Sequence, residues 1–340
     1  MMKTTTEKNG SIEFFRFFFI TVIVLWHFHN IVPIFTCGDF AVDFFFILAG
    51  AMLYRSFVVH PEQDAVGYTF RRVKRIFPEW ILTLVPIFLI KNRDHLFADG
   101  GINTGNVFEY LLKFLHEMVF LGQNGMYQGT SNYASWFICV LVVGGGILYA
   151  VLRYYNEKAV GLFFPVFALL ALTFFYTLGD DELWVVKGCL DVQFLRGCAE
   201  IALGASLYYM AEKYQDDLKK SKVIVDVAGI ISLVLLVVLL FQPRDYANYV
   251  PLFSSVVIIA CLTDNSLFVF LLNGKIWFIL GGISFEMLLI HGLVKPIVSY
   301  MNIGVLPPYV SVPLYLLLVI LSAFALKWIN GKIIRRVPAK

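Results

Sequence analysis

An arginine and two histidines stand where an apolar chain has least reason to keep them. Residues 12–30 read IEFFRFFFITVIVLWHFHN, a nearly unbroken hydrophobic run that carries Arg16, His27 and His29. An ionisable group inside a membrane-spanning helix costs at least ~2.5 kcal/mol near its centre for Arg, so such a group signals function by default. Imidazole can take a proton, return it, or attack as a nucleophile near neutral pH. Arg16 and His27 are eleven residues apart. At about 100° per residue that spacing returns them to one helix face, separated by roughly 16 Å along the axis. His29 points about 200° away from His27 and cannot share its role. The plainer alternatives are that Arg16 snorkels to an interface and that each histidine is a hydrogen-bonded structural group.

The elements that must hold these groups follow from composition. Of 340 residues, 59% are hydrophobic and 15% charged, with 33 Phe, and the mean hydropathy is +0.76. Disorder needs the opposite balance, and a soluble enzyme would need more polar surface. The expected fold is all-α, a polytopic bundle of about ten transmembrane helices. The apolar segments are 12–35, 40–59, 76–91, 135–153, 160–178, 194–211, 223–241, 248–264, 276–299 and 309–329, the third and eighth being short. With both termini cytoplasmic, 19 of the 27 Lys and Arg fall on inner segments and 7 on outer ones, Arg16 lying within the first span. That bias obeys the positive-inside rule. The first segment is read as a retained span rather than a cleaved leader.

Residues 9–332 read as one membrane domain, whose longest connection, 92–134, is an outer loop. Within it, 108–120 (FEYLLKFLHEMVF) has apolar residues at helical spacing and reads as an amphipathic helix on the membrane or over the bundle. The net charge of +3 argues against nucleic acid. The five Cys have no metal-site spacing, and no metal is expected. Gly144–Gly146 lie in an apolar span, where small residues permit close helix approach. Nothing in the sequence speaks to oligomeric state.

Further polar groups fall inside other spans. His291, counted outward from residue 276, lies about 22 Å deep, and so does His27 counted from residue 12. Asp43 sits in the outer half of the second span; Ser284 and Glu286 precede His291. Any of these four could orient or polarise His27, or could simply bond between helices. The run Arg71–Arg75 holds Arg71, Arg72, Lys74 and Arg75 on the inner face.

Four ordered stretches resemble the acyltransferase 3 family of membrane acyltransferases: Arg16 with His27 ten intervening residues later in a first span; GDFAVDFFFILAG at 38–50, with Ala49 where Ser is usual; RRVKRIFPEW at 71–80, with Trp80 for Tyr; and GISFEMLLIH at 282–291. The line WFICVL at 136–141 departs from the Trp-Ser-Leu-x-x-Glu of some branches and argues against them.

The resemblance implies a catalytic His27 with acyl-CoA, in the commonest case acetyl-CoA, as donor. Arg16, Asp43 and His291 are candidate partners in catalysis. Arg71, Arg72 and Arg75, with Lys74 and Arg16, become candidates to bind the CoA phosphates. It also implies a hydroxyl acceptor on a surface or exported glycan or glycolipid, and residence among the lipids of a bacterial inner membrane. The competing expectation is a transporter or flippase for a lipid-linked glycan, since buried Arg and His also suit a proton relay.

Overall fold

The computed structural model describes residues 9–28, 32–98, 101–102, 104–122, 130–178, 186–187 and 190–336. His29 and much of the loop 121–134 lie outside them. The described chain is helical apart from two two-residue β ladders, Phe97–Ala98 with Gly101–Ile102 and Val186–Lys187 with Leu190–Asp191.

Among the described residues the chain is organised by the helices α1 (Gly10–His27), α2 (Ala41–Val59), α3 (Ala65–Lys91), α4 (Thr104–Met118), α5 (Ser135–Tyr155), α6 (Ala159–Tyr176), α7 (Val192–Lys213), α8 (Lys222–Leu239), α9 (Val250–Leu262), α10 (Lys275–Gly281), α11 (Ser284–Tyr300) and α12 (Pro308–Arg336), with shorter helical turns between them. Local sequence sets their starts. The Asn9 side chain accepts from the amides of Ser11 and Ile12 to cap α1, and its Nδ2 donates to the Cys261 carbonyl at 2.7 Å. Asp64 caps α3 through the Gly67 amide at 2.8 Å.

Each of the ten expected segments overlaps a helix, the first running beyond α1 and the ninth split between α10 and α11, but composition licenses fewer crossings. Among the described residues, seven helices are long and apolar enough to cross a membrane. The pair α10–α11, bent by 47°, makes an eighth if it is one span. The two helices that fail the test are α3 and α7. The apolar stretch of α3 was expected to begin at 76, but the helix begins at Ala65, so the basic run 71–75 is helical. α7 carries Gln193, Arg196 and Glu200 on its buried side. Arg196, counted above with the outer-loop cations, is thus inside a helix, 3% exposed.

α1 packs against α2, α10 and α11, α3 against α5 and α11, and α11 against α12. α2 and α7 meet in backbone contact. A Cβ on Gly50 would lie 1.9 Å from the Ile201 carbonyl oxygen, and one on Gly204 would lie 1.8 Å from that of Ile47. Only glycine permits this approach. Gly144 likewise abuts Cys198 of α7, while Gly145 and Gly146 abut Arg72 and Thr69 of α3. Phe19 stacks on Phe44 at 4.4 Å between α1 and α2.

α4 is turned differently from a capping helix. Phe108, Leu111, Leu112 and Leu115 are exposed, while Glu117, which falls between the apolar positions, is 1% exposed.

Candidate active site

The rings of His27 and His291 lie 4.9 Å apart. His27 ends α1 and is half-buried; His291, in the middle of α11, is fully buried. Helix geometry fixes what His291 can do. Its Nδ1 stands 2.7 Å from the Leu288 carbonyl and 3.3 Å from that of Met287. Carbonyls only accept, so Nδ1 carries the hydrogen, and the neutral ring keeps a lone pair on Nε2. That Nε2 is buried with no hydrogen-bond partner among the described residues.

A third ring completes the group. Tyr133 stacks on His27 at 4.6 Å and 20°, and its centroid is 6.0 Å from that of His291. The turn that carries Tyr133 is pinned by Glu117. The Glu117 carboxylate accepts from the Ser131 amide (2.7 Å), the Asn132 amide (3.3 Å) and Ser135 Oγ (2.6 Å). Its carbonyl accepts from Trp80 Nε1 of α3 at 3.1 Å. Asn132 Nδ2 donates to the Leu289 carbonyl at 3.2 Å, which ties the turn to α11. Lys91, ending α3, and Lys295 of α11 place their ammonium groups 4.1 and 5.7 Å from the Tyr133 centroid.

The other expected residues lie elsewhere. Arg16 is at the opposite end of α1, where Nη1 meets both oxygens of Glu13 at 3.1 and 3.0 Å. Asp43 is fully buried and ion-pairs with Arg196, with the Tyr176 hydroxyl at 3.3 Å. Arg196 also bonds Glu200 at 3.0 Å and Gln193 at 3.1 Å, and it lies over the Phe40 and Phe175 rings. This is a compensated buried charge cluster, and Asp43 is engaged there rather than with either histidine. Glu286 pairs with Lys327 of α12 at 3.1 Å, while the Ser284 hydroxyl is buried without a partner among the described residues. Of the four groups considered as partners for His27, His291 is the one brought against it.

Arg71, Lys74 and Arg75 are exposed on α3, and Arg72 is half-buried with its guanidinium on the Tyr68 hydroxyl. Tyr68 in turn stacks on Tyr149 of α5 at 4.0 Å. Arg75 and Lys91 are separated by about 24 Å along α3, so the basic turn and the histidine pair are at different levels of the bundle.

Sequence reasoning missed Tyr133, Glu117, Lys91 and Lys295. Tyr133 lies in an irregular turn, where no periodicity marks it. Arg196 and Glu200 carried a usable signal: two charges four apart within an apolar segment, the same signal that marked Arg16.

A family model described as an acyltransferase domain matches residues 9–329. Comparison with curated proteins gives no match, and neither does comparison with solved structures.

Proposed function

Since the chain belongs to the acyltransferase 3 family and is a membrane acyltransferase, we propose that it carries an acyl group from cytoplasmic acyl-CoA, acetyl-CoA foremost, to a hydroxyl of a surface or exported glycan or glycolipid. The bundle crosses the inner membrane of a bacterium ten times, with both termini in the cytoplasm. The observation that carries this reading is the histidine pair: two imidazoles 4.9 Å apart, on the separate helices α1 and α11.

His27 is the general base. It takes the proton of the acceptor hydroxyl as the oxygen attacks the thioester carbonyl carbon. The C–S bond then breaks, and His27 returns the proton to the departing CoA sulfur. His291 is the positioning partner; its Nε2 lone pair is the acceptor that can hold a donor N–H or O–H beside His27. Asp43 acts through packing, by fixing α2 against α7 through Arg196.

The donor enters from the end of the bundle that carries the basic turn. Arg71, Arg72 and Arg75, with Lys74, suit the phosphates of CoA because guanidinium groups bind phosphate oxygens in pairs. Arg16, balanced by Glu13 on the same side, belongs to this donor path. The pantetheine arm spans the depth between that turn and His27.

The test is mass spectrometry of cell-surface glycans with and without the protein. Loss of O-acyl groups from otherwise intact glycans is expected. Loss of the glycans themselves, with acylation of the remainder unchanged, would instead identify a flippase.

A further inference from the structure

Two cations beside the ring that stacks on His27 have no role in the reaction just described. Lys91 and Lys295 converge on the ring that stacks against His27, and their ammonium groups are at most about 10 Å apart. Neither is in a salt bridge among the described residues, although the Glu117 carboxylate acts on Lys91 electrostatically. The nearby acid, Glu117, spends its carboxylate on two amides and a hydroxyl. In the proposed orientation these are two of the seven cations assigned to the outer side, of which Arg196 is buried within α7. There the positive-inside rule gives no reason for two of them to gather at one aromatic ring.

From this geometry we infer an anion site: Lys91 and Lys295 bind a phosphate or carboxylate group carried by the acceptor, and so set its hydroxyl against His27. Each ammonium can contribute a charge-assisted hydrogen bond to such a group where it sits beside the Tyr133 ring. Lys91 is exposed, Lys295, Tyr133 and His27 are half-buried and His291 is buried, so an acceptor from the accessible side can meet the lysines and His27 together. The acceptor class is therefore an acidic sugar or a sugar phosphate rather than a neutral glycan. The inference rests on the proposed transfer to a glycan hydroxyl, but the site can be read without any transfer.

The experiment uses the full chain in phosphatidylcholine nanodiscs with no acyl donor. Glucose 6-phosphate, glucuronate and glucose are titrated by saturation-transfer NMR. At least one anionic sugar should bind about tenfold more tightly than glucose, the weight of one charge-assisted hydrogen bond. Lys91→Gln/Lys295→Gln should erase that preference, and Lys91→Arg/Lys295→Arg should keep it. The single Gln variants give the same reading if the double one fails to assemble. Equal binding of charged and neutral sugars to the unaltered protein overturns the site, as does a preference that survives the Gln substitutions. So does abolition of the preference when the discs contain phosphatidylglycerol, because the lysines would then belong to a lipid headgroup. Failure of acyl transfer leaves these titrations unchanged, so the two proposals fall separately.

Discussion

His291 commits Nδ1 to the Leu288 carbonyl and keeps Nε2 as an acceptor beside the ring of His27. The equal depth of the two histidines was legible in the sequence because the rise of a helix is fixed, counted outward from residues 12 and 276, but the choice of His291 among the four candidate partners was not. The partner of Asp43 was not legible, since which helix faces α2 is a matter of tertiary packing. The cluster around Asp43 makes a graded prediction. Arg196→Met strands two buried carboxylates and should cost about 3–5 kcal/mol. Asp43→Asn leaves Arg196 with Glu200 and should cost less than about 2 kcal/mol. Thermal unfolding of the two variants in detergent checks the order. If Asp43→Asn melts like the unaltered protein yet has no transferase activity, Asp43 acts in the chemistry and not through packing.

At the level of elements, apolar length located every long helix but misjudged where α3 begins. Hydrophobicity reports the part of a helix that suits lipid, whereas Asp64 caps a helix that starts with the basic turn. The contact of α2 with α7 depends on Gly50 and Gly204, each placed so that a side chain would enter the other helix's backbone. Gly204→Val should therefore cost at least about 3 kcal/mol, beyond ordinary overpacking, since a carbonyl cannot move aside as a side chain can. Gly331, with nothing near the position of a Cβ, is the control and should tolerate Ala without loss of thermal stability. The basic turn of α3 makes a functional prediction. Arg72→Ala and Arg75→Ala should each raise the KM for acyl-CoA about tenfold, the weight of one charge-assisted contact, with little change in the KM for acceptor. An unchanged acyl-CoA titration would remove these residues from the donor site. The sequence left α4 two orientations, on the membrane or over the bundle, because its pattern fixes an apolar face but not which way that face turns; the exposed face is the one that suits lipid. Glu117 is buried because three donors of the following turn converge on it.

For the whole molecule, composition points to a membrane, and charge bias points to ten crossings with both ends inside. The seven or eight crossings allowed by composition and the ten allowed by charge differ over α3 and α7, whose polar residues lower their hydropathy. Those residues are the basic turn and the partners of Asp43. Cysteines introduced near residues 62 and 158 should react with a membrane-impermeant thiol reagent from the cytoplasmic side, and one near residue 245 from the outside. Labelling of all three from the same side would break the ten-crossing topology. In that topology the basic turn and the histidine pair lie at successive depths of the bundle, and the proposed function has donor and acceptor meet at His27. The most direct measurement is transfer from labelled acetyl-CoA to glycan in native membranes, comparing the unaltered chain with His27→Ala at equal folded amounts. The account predicts a loss of about 10²–10⁴-fold. Near-normal transfer by the alanine variant would contradict it.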